Sequence, residues 1–204
     1  MPRFSNVTRP CTVARMAKPG DTYPLHCGVE VRFIQAPSEN GYRLLELEFE
    51  VPVGQRLLAL PHRHPDIEEH FAIVRGTARH RLGRRRLVAR AGDAWVVPAG
   101  RMHVHPSNIG DEPLVVHQWL QRDAPDERLL GGLERYVEAL SAIAAQGKLD
   151  RFGRVTDPLQ DAVTTSETLL PGSYLPVIPT ALQRALVSRA AAIGRRRGRV
   201  AVPH

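Results

Sequence analysis

Leu45, Leu47, Phe49 and Val51 alternate with Glu46, Glu48 and Glu50, and this alternation constrains the fold more than any other feature of the chain. Successive side chains of a strand point to opposite faces, so the stretch reads as a half-buried strand, apolar on one side and charged on the other. Val29, Val31 and Phe33 alternate in the same way upstream, and Pro52 and Gly54 end the second strand. Short strand-like runs then follow at 71–75, 77–82, 86–90, 95–97 and 114–120. Gly76, Gly83-Arg84, Gly92-Asp93, Pro98-Ala99-Gly100 and Asn108-Ile109-Gly110 separate them, with Gly83-Arg84 at the tip of a hairpin. Many short strands with this punctuation predict an all-β sandwich or barrel over about 29–121.

Beyond Pro125 the period changes. Leu129, Leu133, Tyr136, Leu140 and Ile143 form a helical stripe that Asp126 opens and Gly147 closes. Asp157-Pro158 predicts the start of a second helix running to Leu170, and Thr180 the cap of a third that ends at Gly194. The organisation expected is an N-terminal arm over 1–28, a barrel over 29–121, and a helical extension with a basic tail over 122–204. Cover for the outside of the barrel, or a subunit contact, is the role expected of the helices. A homodimer is the expected assembly, since the arm and helices carry more apolar surface than one small barrel buries.

Of 204 residues, 43% are hydrophobic, enough for a sizeable core. No run is long enough for a membrane span, and the first twenty residues lack the apolar core of a signal peptide. Cys11 and Cys27 are the only cysteines, so no disulfide scaffold is expected and the cytoplasm is the expected compartment. The net charge of +7 is not a nucleic-acid signature on closer reading. Of 28 basic residues only Lys18 and Lys148 are lysines, a bias that reflects coding composition. The runs Arg84-Arg85-Arg86 and Arg195-Arg199 lack the interleaved aromatics of a single-strand platform, so no nucleic-acid partner is expected.

Chemistry concentrates in His62-Arg-His64-Pro-Asp-Ile-Glu68-Glu69-His70 and in His103 and His105. Two imidazoles one residue apart share a face of an extended strand. With a carboxylate and a third imidazole they suit a divalent transition ion: Fe, Ni, Mn, Cu or Zn. Glu68 and Glu69 both stand within reach. His105 has the strand parity of His103 and reads as a pocket or supporting residue. His70 and His80 read as structural, and His117 can face either way. Phe71, Ile73, Trp95 and Trp119 are candidate pocket walls.

These residues resemble the motifs of the cupins, small metal-binding jelly-roll barrels. His62, His64, four residues, Glu69, six residues and Gly76 fit the first motif, although Gly54 lies two residues upstream of its opening glycine. Gly92, Pro98, Gly100 and His103 fit the second, with Ser107 where asparagine is usual and Asn108 one position late. The resemblance covers about 54–108. It implies a double-stranded β-helix holding one divalent transition ion through His62, His64, Glu69 and His103, with Glu69 able to double as a catalytic base. The six-residue step to Gly76 favours Glu69 over Glu68.

A metal cupin does not fix a reaction, because one fold hosts many. The reading preferred from the sequence is an enzyme acting on a small organic molecule, of the dioxygenase type found in quercetinase-like cupins. The alternatives are a non-redox isomerase, cyclase or lyase, and a small-molecule-binding cupin without catalysis.

Overall fold

In the computed structural model the described residues are 16–57, 60–170 and 172–201. Most of the stretch read as an arm, Cys11 included, lies outside them. Among the described residues nine strands form two antiparallel sheets. β1 (Thr22–Pro24), β2 (Glu30–Gln35), β3 (Leu44–Val51), β4 (Glu69–Arg75), β7 (Ala94–Val97) and β9 (Leu114–Gln121) make a six-stranded sheet in the order β1-β2-β3-β9-β4-β7. β5 (Thr77–Leu82), β6 (Arg85–Arg90) and β8 (His103–Asn108) make the smaller one, ordered β6-β5-β8. This is the jelly-roll topology of a double-stranded β-helix, followed by helices. The large sheet begins at Thr22, inside the stretch read as an arm, because β1 pairs with β2 from Thr22↔Arg32 to Pro24↔Glu30.

The core follows from the alternation. Leu45, Leu47, Phe49 and Val51 are buried, and β9 sets Leu120, Gln118, Val116 and Leu114 opposite them. A one-residue slip would expose every one of these side chains, so the apolar pattern locks the register. Each fully buried aliphatic or aromatic side chain contributes roughly 1.5–3 kcal/mol. Outside, Glu48 stands opposite Arg32 and pairs with it at 2.6 Å, and Glu46 pairs with His117 at 2.8 Å. His117 therefore faces away from the interior.

Gly76 turns β4 into β5 at φ +86°, and a Cβ there would meet the Leu114 backbone at 3.1 Å. Both facts demand glycine. The displaced asparagine has an equally local cause. Arg79 pairs with Ser107 and Arg81 with Val104, so His80 of β5 opposes two residues of β8, His105 and Pro106. This bulge shifts the strand parity by one, and Asn108 rather than Ser107 turns inward. Its amide donates to the Val51 and Glu112 carbonyls at 2.9 and 2.8 Å and closes the turn into β9.

Three α-helices follow among the described residues: α1 (Gly132–Ala145), α2 (Pro158–Thr168) and α3 (Thr180–Arg196). A π-helical turn, Glu127–Gly131, leads into α1, and Asp126 caps it through the Leu129 amide at 3.0 Å. Asp157 caps α2 as expected, accepting from Leu159 and Gln160. Thr180 does not cap α3. It is the first helical residue, and its hydroxyl accepts from Arg63 at 3.1 Å. Gly194 does not end α3 either, but lies within it, where a Cβ would press on the Leu159 carbonyl of α2. The helices wall a cavity of about 730 Å³ together with Leu45, Leu47, Phe49 and Leu120.

Candidate metal centre

The segment before β4 brings the first two imidazoles into place. It is extended, and it forms backbone bridges on both sides. His62 exchanges hydrogen bonds with His103 at 3.1 and 2.9 Å, and Arg63 exchanges them with Tyr174 at 2.9 and 3.0 Å. His62 and His64 thus share a face between β8 and a piece of the C-terminal extension. β4 supplies Glu69, which is 1% exposed, while Glu68 is exposed to solvent. The ligand atoms of His62, His64, Glu69 and His103 all lie within 4.8 Å of one another.

The hydrogen bonds decide which atoms remain available. Nδ1 of His62 donates to the Leu60 carbonyl at 3.0 Å, Nδ1 of His64 to Gly172 at 2.8 Å, and Nδ1 of His103 to Arg101 at 3.3 Å. A proton on Nδ1 leaves the Nε2 lone pair of each ring free, the orientation that metal-ligating histidines adopt. The two oxygens of Glu69 divide in the same way. Gln118 donates its amide to Oε1, and His105 Nε2 stands 3.2 Å from that oxygen. Oε2 faces His103 Nε2 at 2.6 Å and His64 Nε2 at 3.6 Å. Neither Oε2 nor His103 Nε2 has a hydrogen-bond partner, although both are buried. Orphaned buried acceptors are costly, and a cation between them satisfies both. The donor set, three imidazole nitrogens and one carboxylate oxygen, fits a divalent transition ion.

The electrostatics agree. Burial pushes the Glu69 carboxyl up, but the imidazoles of His105 and His103 outweigh it and hold it well below the usual range. Burial and the neighbouring imidazoles of His105, His103 and His64 hold His62 well below its ordinary value, so its ring is neutral at neutral pH. His64 is also opposed by burial, yet Glu69 and the Gly172 carbonyl raise it overall. His80, pushed down to about 4 chiefly by burial, stacks on Trp95 at 3.9 Å and has no place in the cluster.

Reading the sequence missed three parts of this site. Gln118 is one, and its signal was present: it is the lone polar residue among the inward positions of β9. The Gly172–Tyr174 segment is another, and nothing local announces it. The walls are the third. Phe71 is buried and stacks on Trp95, Ile73 is core, and Trp119 stacks on His70 on the opposite face of the sheet at 5.0 Å. None of these four candidates lines the cavity; helical residues such as Leu133, Leu140 and Leu169 do.

Compared with protein families, residues 47–119 match the Cupin domain. Over residues 47–119 the chain carries a domain of the cupin superfamily. No curated protein matches it. Among solved structures it is similar to an uncharacterized conserved protein with a double-stranded beta-helix domain from Klebsiella pneumoniae, at 19% identity and a TM-score of 0.38, over 44% of this chain and 73% of that one. KdgF from Halomonas sp. is 19% identical with a TM-score of 0.41, over 50% and 88%. The formate complex of Lactobacillus farciminis oxalate decarboxylase is 25% identical with a TM-score of 0.42, over 51% and 32%. The matched cupin domain contains His62, His64, Glu69, His103 and Gln118, whereas the helices and the Gly172–Tyr174 segment lie beyond it.

Proposed function

We propose that this cupin is a metal-dependent enzyme of dioxygenase type, acting on a small and largely apolar organic molecule. His62, His64, Glu69 and His103 hold one divalent transition ion. The observation that carries the reading is the convergence of four free ligand atoms at the base of a cavity whose other walls are mostly apolar. A bound ion supplies a redox-active or Lewis-acidic centre with coordination positions left for substrate. The chain does the rest. Leu45, Leu47, Phe49 and Leu120 keep bulk water from the reacting end of the substrate. The Gln118 amide fixes Oε1 of Glu69 and so holds Oε2 toward the imidazoles of His103 and His64, and Glu69 is the residue that would take a proton from an acidic hydroxyl of the substrate.

Metal analysis of protein purified without a histidine tag tests this directly. Stoichiometric Fe, Ni, Mn or Cu is the expected result. Zinc alone would sink the oxygenase reading in favour of an isomerase, cyclase or lyase using a Lewis acid, and no metal at all would leave a binding protein.

We also propose that the chain works in the cytoplasm, consistent with the free thiol of Cys27, and as a homodimer. Among the described residues no helix is long and apolar enough to cross a membrane. Leu182 and Ile193 of α3 are 49% and 46% exposed and lie on one stripe of the helix, a surface that a second copy would bury. Sedimentation at micromolar concentration is expected to report twice the chain mass, and a species of 22.7 kDa would overturn the dimer.

A further inference from the structure

The ion proposed above accounts for two unpartnered polar atoms at the base of the cavity, Glu69 Oε2 and His103 Nε2. It does not account for Oε1 of Gln118, which is buried and accepts no hydrogen bond among the described residues. Gln118 is 5% exposed and lines the cavity together with Glu69 and His105. The orientation of its amide is fixed by chemistry. A carboxylate oxygen accepts and cannot donate, so the amide nitrogen is the end that faces Glu69 Oε1. The same oxygen of Glu69 has His105 Nε2 at 3.2 Å, so that imidazole is taken up as well. The Gln118 oxygen is the group left over.

The protein around Gln118 offers that oxygen no donor. Across the ladders Gln118 stands opposite Leu47 of β3 and Phe71 of β4, both buried. Its inward neighbours along β9 are Val116 and Leu120. The main-chain amides of this central strand serve the ladders to β3 and β4. A buried carbonyl without a donor forfeits its hydration with no return, which is why such acceptors are rare in folded proteins. The remaining side is the cavity, so the donor comes from a molecule bound there. Its position is also restricted. The amide that presents the oxygen grips Glu69, whose other oxygen faces the imidazoles of His103 and His64. The donor therefore belongs to the end of the ligand that meets the metal centre.

We infer that Gln118 recognises the substrate, its oxygen accepting a hydrogen bond from an O–H or N–H that the molecule carries next to its metal-binding oxygen. The substrate class is a vicinal hydroxy-carbonyl compound, diol or similar acid, and not a lone ketone, ether or ester. The inference rests on the metal-centre reading for one atom of the substrate and on Gln118 for its neighbour, and the two are tested apart. Benzohydroxamate and N-methylbenzohydroxamate share two metal-binding oxygens and an apolar ring, and differ in the N–H beside those oxygens. Titrated calorimetrically into the metal-loaded protein, benzohydroxamate is expected to bind about tenfold tighter, the contribution of one hydrogen bond to a buried acceptor. In Gln118→Met the two should bind within about twofold of each other. Any loosening of Glu69 in that variant affects both probes and cancels in their ratio. Equal binding by the wild type overturns the inference, and so does a preference that survives in Gln118→Met, as a steric effect of the methyl group would. Gln118→Leu takes the place of Gln118→Met if circular dichroism shows the latter unfolded. Failure of the metal reading shows separately, as absence of an ion on elemental analysis of the same sample. Benzyl alcohol and benzyl methyl ether then replace the hydroxamates: preference for the alcohol, lost in Gln118→Met, supports the inference, and no preference rejects it.

Discussion

Replacing His62 and His64 together by alanine is expected to abolish stoichiometric transition-metal binding and leave a folded protein. Both rings are oriented by backbone carbonyls outside the regular strands, those of Leu60 and Gly172, so their removal does not break a sheet ladder. The backbone bridges of this segment, His62 to His103 and Arg63 to Tyr174, use main-chain atoms that alanine retains. The large sheet keeps its register through Leu45, Leu47, Phe49 and Val51, none of which contributes a ligand. Only Glu69 and His103 of the four proposed ligands would remain, too few to compete with water for a divalent ion. Elemental analysis reports the metal and far-ultraviolet circular dichroism the fold. A folded double mutant that retains its metal would show that the ion sits elsewhere.

Glu69→Gln has the second large effect. The change keeps the shape of the side chain and removes one negative charge together with any base function. Metal affinity is expected to fall tenfold or more, at about the level seen when a metal site loses a strong interaction. Turnover should fall further than metal binding does, because a general base typically contributes about 100-fold or more. Glu68→Gln supplies the control, since Glu68 is exposed while Glu69 is buried beside three imidazoles. Its metal content and turnover should stay close to wild type. Equal losses in the two variants, or loss confined to Glu68→Gln, would mean that the carboxylate at Oε2 of Glu69 is not the ligand.

What the sequence by itself determined about this protein is whatever repeats at short range. The period-two alternation over 45–51 specified a strand, its buried face and its register, because adjacent side chains must point to opposite faces. Glycines and prolines marked the turns, because few residues accept the backbone conformations required there. The spacing of His62, His64, Glu69 and His103 was visible in the same way, and the six-residue step to Gly76 favoured Glu69, which is buried, over Glu68, which is exposed.

Tertiary structure alone decided the rest. The Gly172 carbonyl that orients His64 lies 108 residues away along the chain, and no local pattern links the two. The helical stripe of α1 announced an amphipathic helix but not its partner, and an apolar face is equally satisfied by a barrel exterior, a second subunit or a cavity wall. Local periodicity selects elements, whereas the pairing of buried polar groups depends on which distant elements meet.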